Sequence, residues 1–211
     1  MLKDKIMIYP TKKIVFENVC WKNLEKAIKV QKELFPYEDG TQTLVNSITI
    51  KEKPDPVLKE RDYWLVRNEN NEIIGITGGY SYHNYPDDFW AGWLGVLETH
   101  RGKGYFSMIM DSYLQKGVIG GYKNARLDTD AIMNAEACEI YRRWGMFEEH
   151  YNRRDDIPPG RYRDIRIFSI SLIAGSSVTP WNNKNLFFSS PILYGREEIW
   201  CEKIRCKAGT G

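Results

Sequence analysis

Leu94-Gly95-Val96-Leu97-Glu98-Thr99-His100-Arg101-Gly102-Lys103-Gly104-Tyr105-Phe106 is the stretch on which the reading of this chain turns. It reads as the end of a buried strand, a tight glycine turn and the start of a helix. Apolar residues at 106, 109, 110, 113 and 114 carry helical spacing for one buried face. Gly102 and Gly104 can take positive φ and let a ligand approach the main chain closely. Successive amides there point one way, and the helix N-terminus adds a positive partial charge. The consequence is an anion cradle suited to phosphate, with Arg101 and Lys103 beside it.

Two familiar phosphate loops are excluded by single residues. The nucleotide P-loop needs Gly at 97 and Ser or Thr at 104, where this chain has Leu97 and Gly104. The dinucleotide fingerprint needs Gly at 107, and position 107 is Ser.

Composition narrows the class. The 211 residues are 42% hydrophobic and 27% charged, which suits a globular domain with a substantial core. A net charge of +2 implies no global field for nucleic acid or membrane. No apolar run approaches the ~18 residues of a membrane helix, and the N-terminus lacks a secretion-signal core. Four scattered cysteines and three histidines give little material for a disulfide scaffold or a metal centre. The expectation is a cytoplasmic protein with no metal.

Working outward, Lys13 to Val19 is β-like, and helices are expected over Trp21–Phe35 and Thr41–Ile48, with a proline-bearing loop at Lys51–Pro56. Tyr63–Arg67 and Ile73–Thr77 flank a polar turn and read as a hairpin. Phe89–Leu97 is a third strand. Gly117 and the Gly120-Gly121 pair read as stops for the helix that begins at Tyr105. Ala125–Asp130 alternates as a strand with one polar face. Asn134–Trp144 reads as a helix buried along Ala137, Ile140, Tyr141 and Trp144 and stopped by Gly145. Two strands, about 147–153 and 161–173, flank a turn at Asp155–Gly160. Residues 174–211 are too apolar for a disordered tail and are expected to pack on the domain or on a second subunit. The expected domains are therefore 1–173 and a C-terminal extension, 174–211.

Two motifs carry a resemblance. Leu-x-Val-x-Glu-x-x-Arg-Gly-Lys-Gly, ending at Gly104, resembles the coenzyme A pyrophosphate loop of the GNAT superfamily of N-acetyltransferases. Arg101 and Gly104 match that pattern, and Phe106 stands where the family usually has Gly or Ala. Asn134-x-x-Ala137-x-x-Ile140-Tyr141-x-x-x-Gly145-Met146-Phe147 resembles the second GNAT signature, with Met146 in the usual Phe position. The resemblance spans about residues 13 to 173. It implies an α/β (α+β) fold: a mixed, mostly antiparallel sheet of about six to seven strands flanked by about four helices.

The resemblance also implies an N-acetyltransferase that uses acetyl-CoA as cosubstrate. Its cofactor-binding residues would be Leu94, Gly95, Val96, Arg101, Gly102, Lys103, Gly104, Tyr105, Phe106, Asn134 and Tyr141. The Val96 N–H would donate to the thioester oxygen. Tyr141 would act as general acid, although core packing would also explain it. Asn134 would bond the pantetheine, a position equally suited to a helix N-cap. Tyr37, Glu38, Asp39, Trp93 and Asp128 are the acceptor-side candidates.

The general base is left unassigned. Phe89–Trp93 contains no carboxylate, Asp87 and Asp88 precede it, Glu98 lies at the far end, and each of these, like Asp128 and Asp130, reads singly as solvated charge rather than as the base. Tyr37-Glu38-Asp39 favours a cationic amine, whereas Arg153, Arg154, Arg161 and Arg163 favour an acidic acceptor. The expected partner is a small-molecule or peptide amine, not nucleic acid or membrane, and a homodimer is allowed. The alternative is a non-catalytic coenzyme A-binding sensor; a third reading is a scaffold whose Phe106 blocks the phosphates.

Overall fold

A computed structural model describes residues 13–36, 38–152 and 164–184. The elements are β1 Val15–Asn18, α1 Leu24–Leu34, α2 Thr41–Thr49, β2 Leu58–Arg67, β3 Ile73–Tyr82, β4 Tyr85–Val96, α3 Tyr105–Ile119, β5 Asn124–Asp130, α4 Ala135–Arg143, β6 Phe147–His150 and β7 Ile165–Ser171. A short 3-10 turn, Glu98–His100, stands between β4 and α3. Seven strands form one mixed sheet in the order β1-β2-β3-β4-β5-β7-β6. β1 to β4 are antiparallel and β5 is parallel to β4. The expected architecture is therefore present, with seven strands and four helices among the described residues.

The chain forms two compact units. One extends to Leu127 and includes Ser169–Thr179; the other runs from Asp128 to Phe168 and resumes at Pro180. In the first unit, one apolar cluster joins α1 and α2 to the sheet through Ala27, Val30, Leu44, Tyr63, Leu65 and Ile76. A second cluster seats α3 through Val66, Ile74, Val96, Tyr105 and Ile109. Among the described residues no helix is long and apolar enough to cross a membrane.

Several sequence expectations need correction. β2 begins at Leu58, just before the charged run Lys59-Glu60-Arg61-Asp62, and both Leu58 and Arg61 are buried. β3 and β4 meet in a tight hairpin, with Tyr82 opposite Tyr85. Gly117 is not a stop: it lies inside α3, where a Cβ would come 2.7 Å from Leu172 Cδ1 and 3.2 Å from Phe89 Cδ1. The helix ends at Gly120, followed by Gly121 at φ +75°. β5 does not present one solvated polar face, since Arg126 and Asp130 are both buried. On α4 the buried side chains are Cys138 and Tyr141. The Asp155–Gly160 turn, the four arginines around it, Tyr37 and the chain beyond Lys184 lie outside the described residues.

Candidate active site

The site starts from a defect in the sheet. Thr77 stands opposite Leu94 and Gly79 opposite Ala91, so β4 carries one extra residue across from β3 at Gly92-Trp93. Such a bulge bends its strand and re-aims the residues beyond it. On the other flank, the parallel register with β5 runs from Asp88↔Asn124 to Trp90↔Arg126 and does not continue to Ala91 and Leu127. From the bulge onward, β4 keeps its pairing with β3 while its other edge is released from this register.

The hydrogen-bond pattern determines which main-chain groups face that edge. Leu97 N donates to Ile74 O at 2.8 Å, which makes these a hydrogen-bonded pair. Antiparallel pairs alternate, so Val96 and Leu94 occupy the intervening, non-bonded positions opposite Gly75 and Thr77. Their N–H and C=O groups point away from β3. The Val96 carbonyl bears this out by accepting a hydrogen bond from Arg101 Nε at 3.1 Å.

Directly after this edge comes the glycine turn. Gly102 has φ +72° and Gly104, the N-cap of α3, has φ +82°. Nothing lies within 4 Å of where a Cβ would stand on either. The cradle is thus exposed and free of side chains, as close approach of a phosphate to the main chain requires. Arg101 and Lys103 border it, the latter with Nζ 2.9 Å from Thr99 O.

Tyr105 and Phe106 turn their side chains elsewhere. The Tyr105 ring is buried and its hydroxyl lies 3.3 Å from Glu69 Oε2. Burial first, then the Glu69 charge, raises its phenol above the ordinary value. Phe106 is half-buried and packs on the Val66, Ile74, Val96, Tyr105 and Ile109 cluster beneath the helix. Its bulk joins the core, so the blocked-cradle reading loses its motive.

On the α1–α2 side, Glu38 and Trp93 are brought together, with Trp93 Nε1 donating to Glu38 Oε2 at 2.9 Å. The Trp93 ring lies 4.8 Å from Tyr63 and 6.1 Å from Phe35, centroid to centroid. Gln31 holds the loop from below: its amide donates to Glu38 O and accepts from Gly40 N. Asp39 instead bonds Thr41 N at the start of α2.

The second unit carries the remaining candidates. Tyr141 is buried on α4, its ring 5.2 Å from that of Phe168. Burial above all, with the nearby Cys138 and Asp128, pushes its phenol far above the ordinary range. Asn134 is the exposed N-cap of α4, yet its side chain makes no cap bond. Asp128 is half-buried, and Asp130 bonds the amides of Ile132 and Met133 through Oδ1.

A family model described as the acetyltransferase (GNAT) family matches residues 24–146. The chain belongs to the GNAT acetyltransferase family. It is an acyltransferase of GNAT type. A search of the curated proteins finds no match. Among solved structures, a spermidine/spermine N-acetyltransferase from Vibrio cholerae is similar at 15% identity and TM-score 0.57, covering 76% of this chain and 93% of that one. A putative GNAT acetyltransferase from Desulfovibrio desulfuricans reaches TM-score 0.61 at 15% identity, covering 76% and 100%. The ribosomal-protein-S18-alanine N-acetyltransferase of Escherichia coli reaches 0.57 at 12% identity, covering 81% and 98%. At these identities the likeness is one of fold.

Besides Arg126 and Asp130, sequence reading of this GNAT protein missed the burial of Asp88, Gln31 and Arg61. Asp88 is 4% exposed, bound to Arg126 Nε at 2.9 Å and to Asn124 Nδ2 at 2.9 Å. That corrects the expectation of a solvated Asp88, whose Oδ1 meets both partners. Gln31 could have been noticed as a polar residue on the buried stripe of α1. Arg61 gave no signal, being hidden in a charged run.

Proposed function

We propose that this acetyltransferase moves an acetyl group from acetyl-CoA to a primary amine by direct attack within a ternary complex. The observation that carries the reading is the outward-facing main chain of Leu94 and Val96 running into the Cβ-free cradle at Gly102 and Gly104. These groups fit the cosubstrate, since extended amides and a pyrophosphate are what such an edge and cradle accept. Arg101, Gly102, Lys103 and Gly104, with the Tyr105 and Phe106 main chain, would hold the pyrophosphate. Leu94, Gly95 and Val96 would hold the pantetheine arm, with Asn134 adding a side-chain amide. Acetyl-CoA, when bound, supplies an acyl group activated as a thioester.

The chain's own residues then divide the work. The Val96 N–H donates to the carbonyl oxygen as negative charge gathers there. Tyr141 keeps its proton at neutral pH because burial disfavours the phenolate. A phenol so raised would stabilise the leaving sulfur by donating a hydrogen bond more readily than by giving up its proton. Glu38, fixed against the bulge by Trp93, would hold the acceptor's ammonium and receive its proton directly or through water. Asp39, Tyr37 and Asp128 are the further acceptor-side candidates. The Vibrio cholerae neighbour is a spermidine/spermine N-acetyltransferase, and an amine acceptor here agrees with that.

One observation favours the second reading, a coenzyme A-binding module without catalysis. Phe89–Trp93 carries no carboxylate, and Asp88 just before it is committed to Arg126 and Asn124. Thiol release from acetyl-CoA across an amine panel separates the two. Release that depends on a particular amine supports the transferase, whereas stabilisation by acetyl-CoA with no release from any amine supports the sensor.

A further inference from the structure

Arg61 is the least expected side chain in the first unit. It is 7% exposed, and its Nε and Nη1 are buried with no hydrogen-bond partner among the described residues. A buried guanidinium left without an acceptor is unusual, because desolvating the charge is costly unless something pairs with it. Its surroundings are aromatic. Arg61 stands opposite Tyr80, which stands opposite Trp90, one residue on each of β2, β3 and β4. The guanidinium carbon lies 5.8 Å from the Tyr80 ring centroid. Tyr80 and Trp90 stack at 6.4 Å and 15°, and Tyr82 meets both edge-on. Arg126, opposite Trp90 at the far end of the same row, offers an internal comparison. That arginine is also buried, but it has Asp88, Ser169 Oγ and Thr179 O for partners. Among the described residues, the fold supplies an anion for one arginine of the row and none for the other.

The position of Arg61 ties its unmet bonding capacity to the acceptor side. Side chains alternate along a strand, so Arg61 and Tyr63 share one face of β2, about 7 Å apart. Tyr63 meets Trp93, and Trp93 bonds Glu38. The face of the sheet that bears Tyr63 and Trp93 thus has the Glu38 carboxylate held against it from the α1–α2 loop, and an unanswered guanidinium two residues before Tyr63 on β2. We infer that Arg61 anchors a carboxylate borne by the acceptor, so that the substrate class is an amine that also carries a carboxylate. The inference rests on the acceptor being an amine that reaches Glu38, as proposed above. Aromatic neighbours lower the competition from water, and the planar fork of arginine suits a carboxylate bidentately.

The test is calorimetric titration of the full chain with matched pairs: alanine against ethylamine, phenylalanine against phenethylamine, lysine against cadaverine. Wild type should bind the carboxylate member of at least one pair about ten- to a hundred-fold more tightly than its partner. Arg61→Met should abolish that difference, and Arg61→Lys should keep part of it. Three results overturn the inference: no preference in wild type, a preference that survives in Arg61→Met, or Arg61-dependent binding of acetate or inorganic phosphate with no discrimination between pair members. Should Arg61→Met fail to fold, the wild-type pairs and Arg61→Lys still decide. Thermal stabilisation by acetyl-CoA, measured on the same samples, reads the transferase proposal separately.

Discussion

Gly104→Ala separates the cradle from everything else in the protein. At φ +82° an alanine pays the left-handed penalty of roughly 1–2 kcal/mol. No clash adds to it, since nothing lies within 4 Å of the new Cβ. For a chain of 211 residues that loss corresponds to a melting point lower by about 2–8 °C. The effect on the cosubstrate should be larger than this small change in stability suggests. On the proposed pyrophosphate role, a methyl group at the N-cap of α3 would stand where phosphate oxygens approach the amides, and a charged hydrogen bond lost there costs about 1.5–3 kcal/mol. Hence kcat/KM for acetyl-CoA should fall about ten- to a hundred-fold. Acetyl-pantetheine has the thioester without the pyrophosphate, so its kcat/KM should stay near the wild-type value. Equal losses with both donors, or no loss with acetyl-CoA despite the lower melting point, would refute the assignment of this turn to the pyrophosphate.

Other perturbations probe other parts. Asp88→Ala leaves Arg126 buried without its counter-charge and should cost about 3–5 kcal/mol in urea unfolding; near-wild-type stability would show that Ser169 and Thr179 suffice. Tyr141→Phe should lower turnover more than it lowers acetyl-CoA affinity, and equal losses in both would count against a role at the leaving sulfur. Carboxylates set the acid limit. Glu148 is held below its ordinary 4.5, chiefly by the hydrogen bond from Arg142, and Asp164 below 3.8, chiefly by that from Arg166. Each binds fewer protons folded than unfolded, so its contribution is present above the unfolded value and lost as pH falls through the folded one. Melting points should hold from pH 7 to about 5 and drop below about 4; a flat profile down to about pH 2 would contradict these pairings.

Much of the fold was legible because its signals are local. The glycine turn needs only Gly102 and Gly104, and the α4 signature needs only residues between Asn134 and Phe147. What escaped was set by long-range pairing. Arg61 and Asp88 look like surface charges in sequence, and only their opposition to Tyr80 and their ties to Arg126 and Asn124 reveal burial. Gly117 looked like a helix stop because a glycine's neighbours in space are invisible in sequence; Phe89 and Leu172 crowd the spot. The β4 bulge was equally hidden, since it exists only as a count of residues against β3. The cradle was therefore readable from the chain alone, whereas the acceptor side was readable only in part, through Glu38 and Trp93.

The most direct measurement is amide hydrogen exchange with and without acetyl-CoA. The outward-facing amides of Leu94 and Val96 and the cradle amides of Gly102 and Gly104 should slow markedly on binding, while Leu97, already bonded to Ile74, should change little. Acetyl-CoA that binds without protecting Val96, Gly102 and Gly104 would contradict the account.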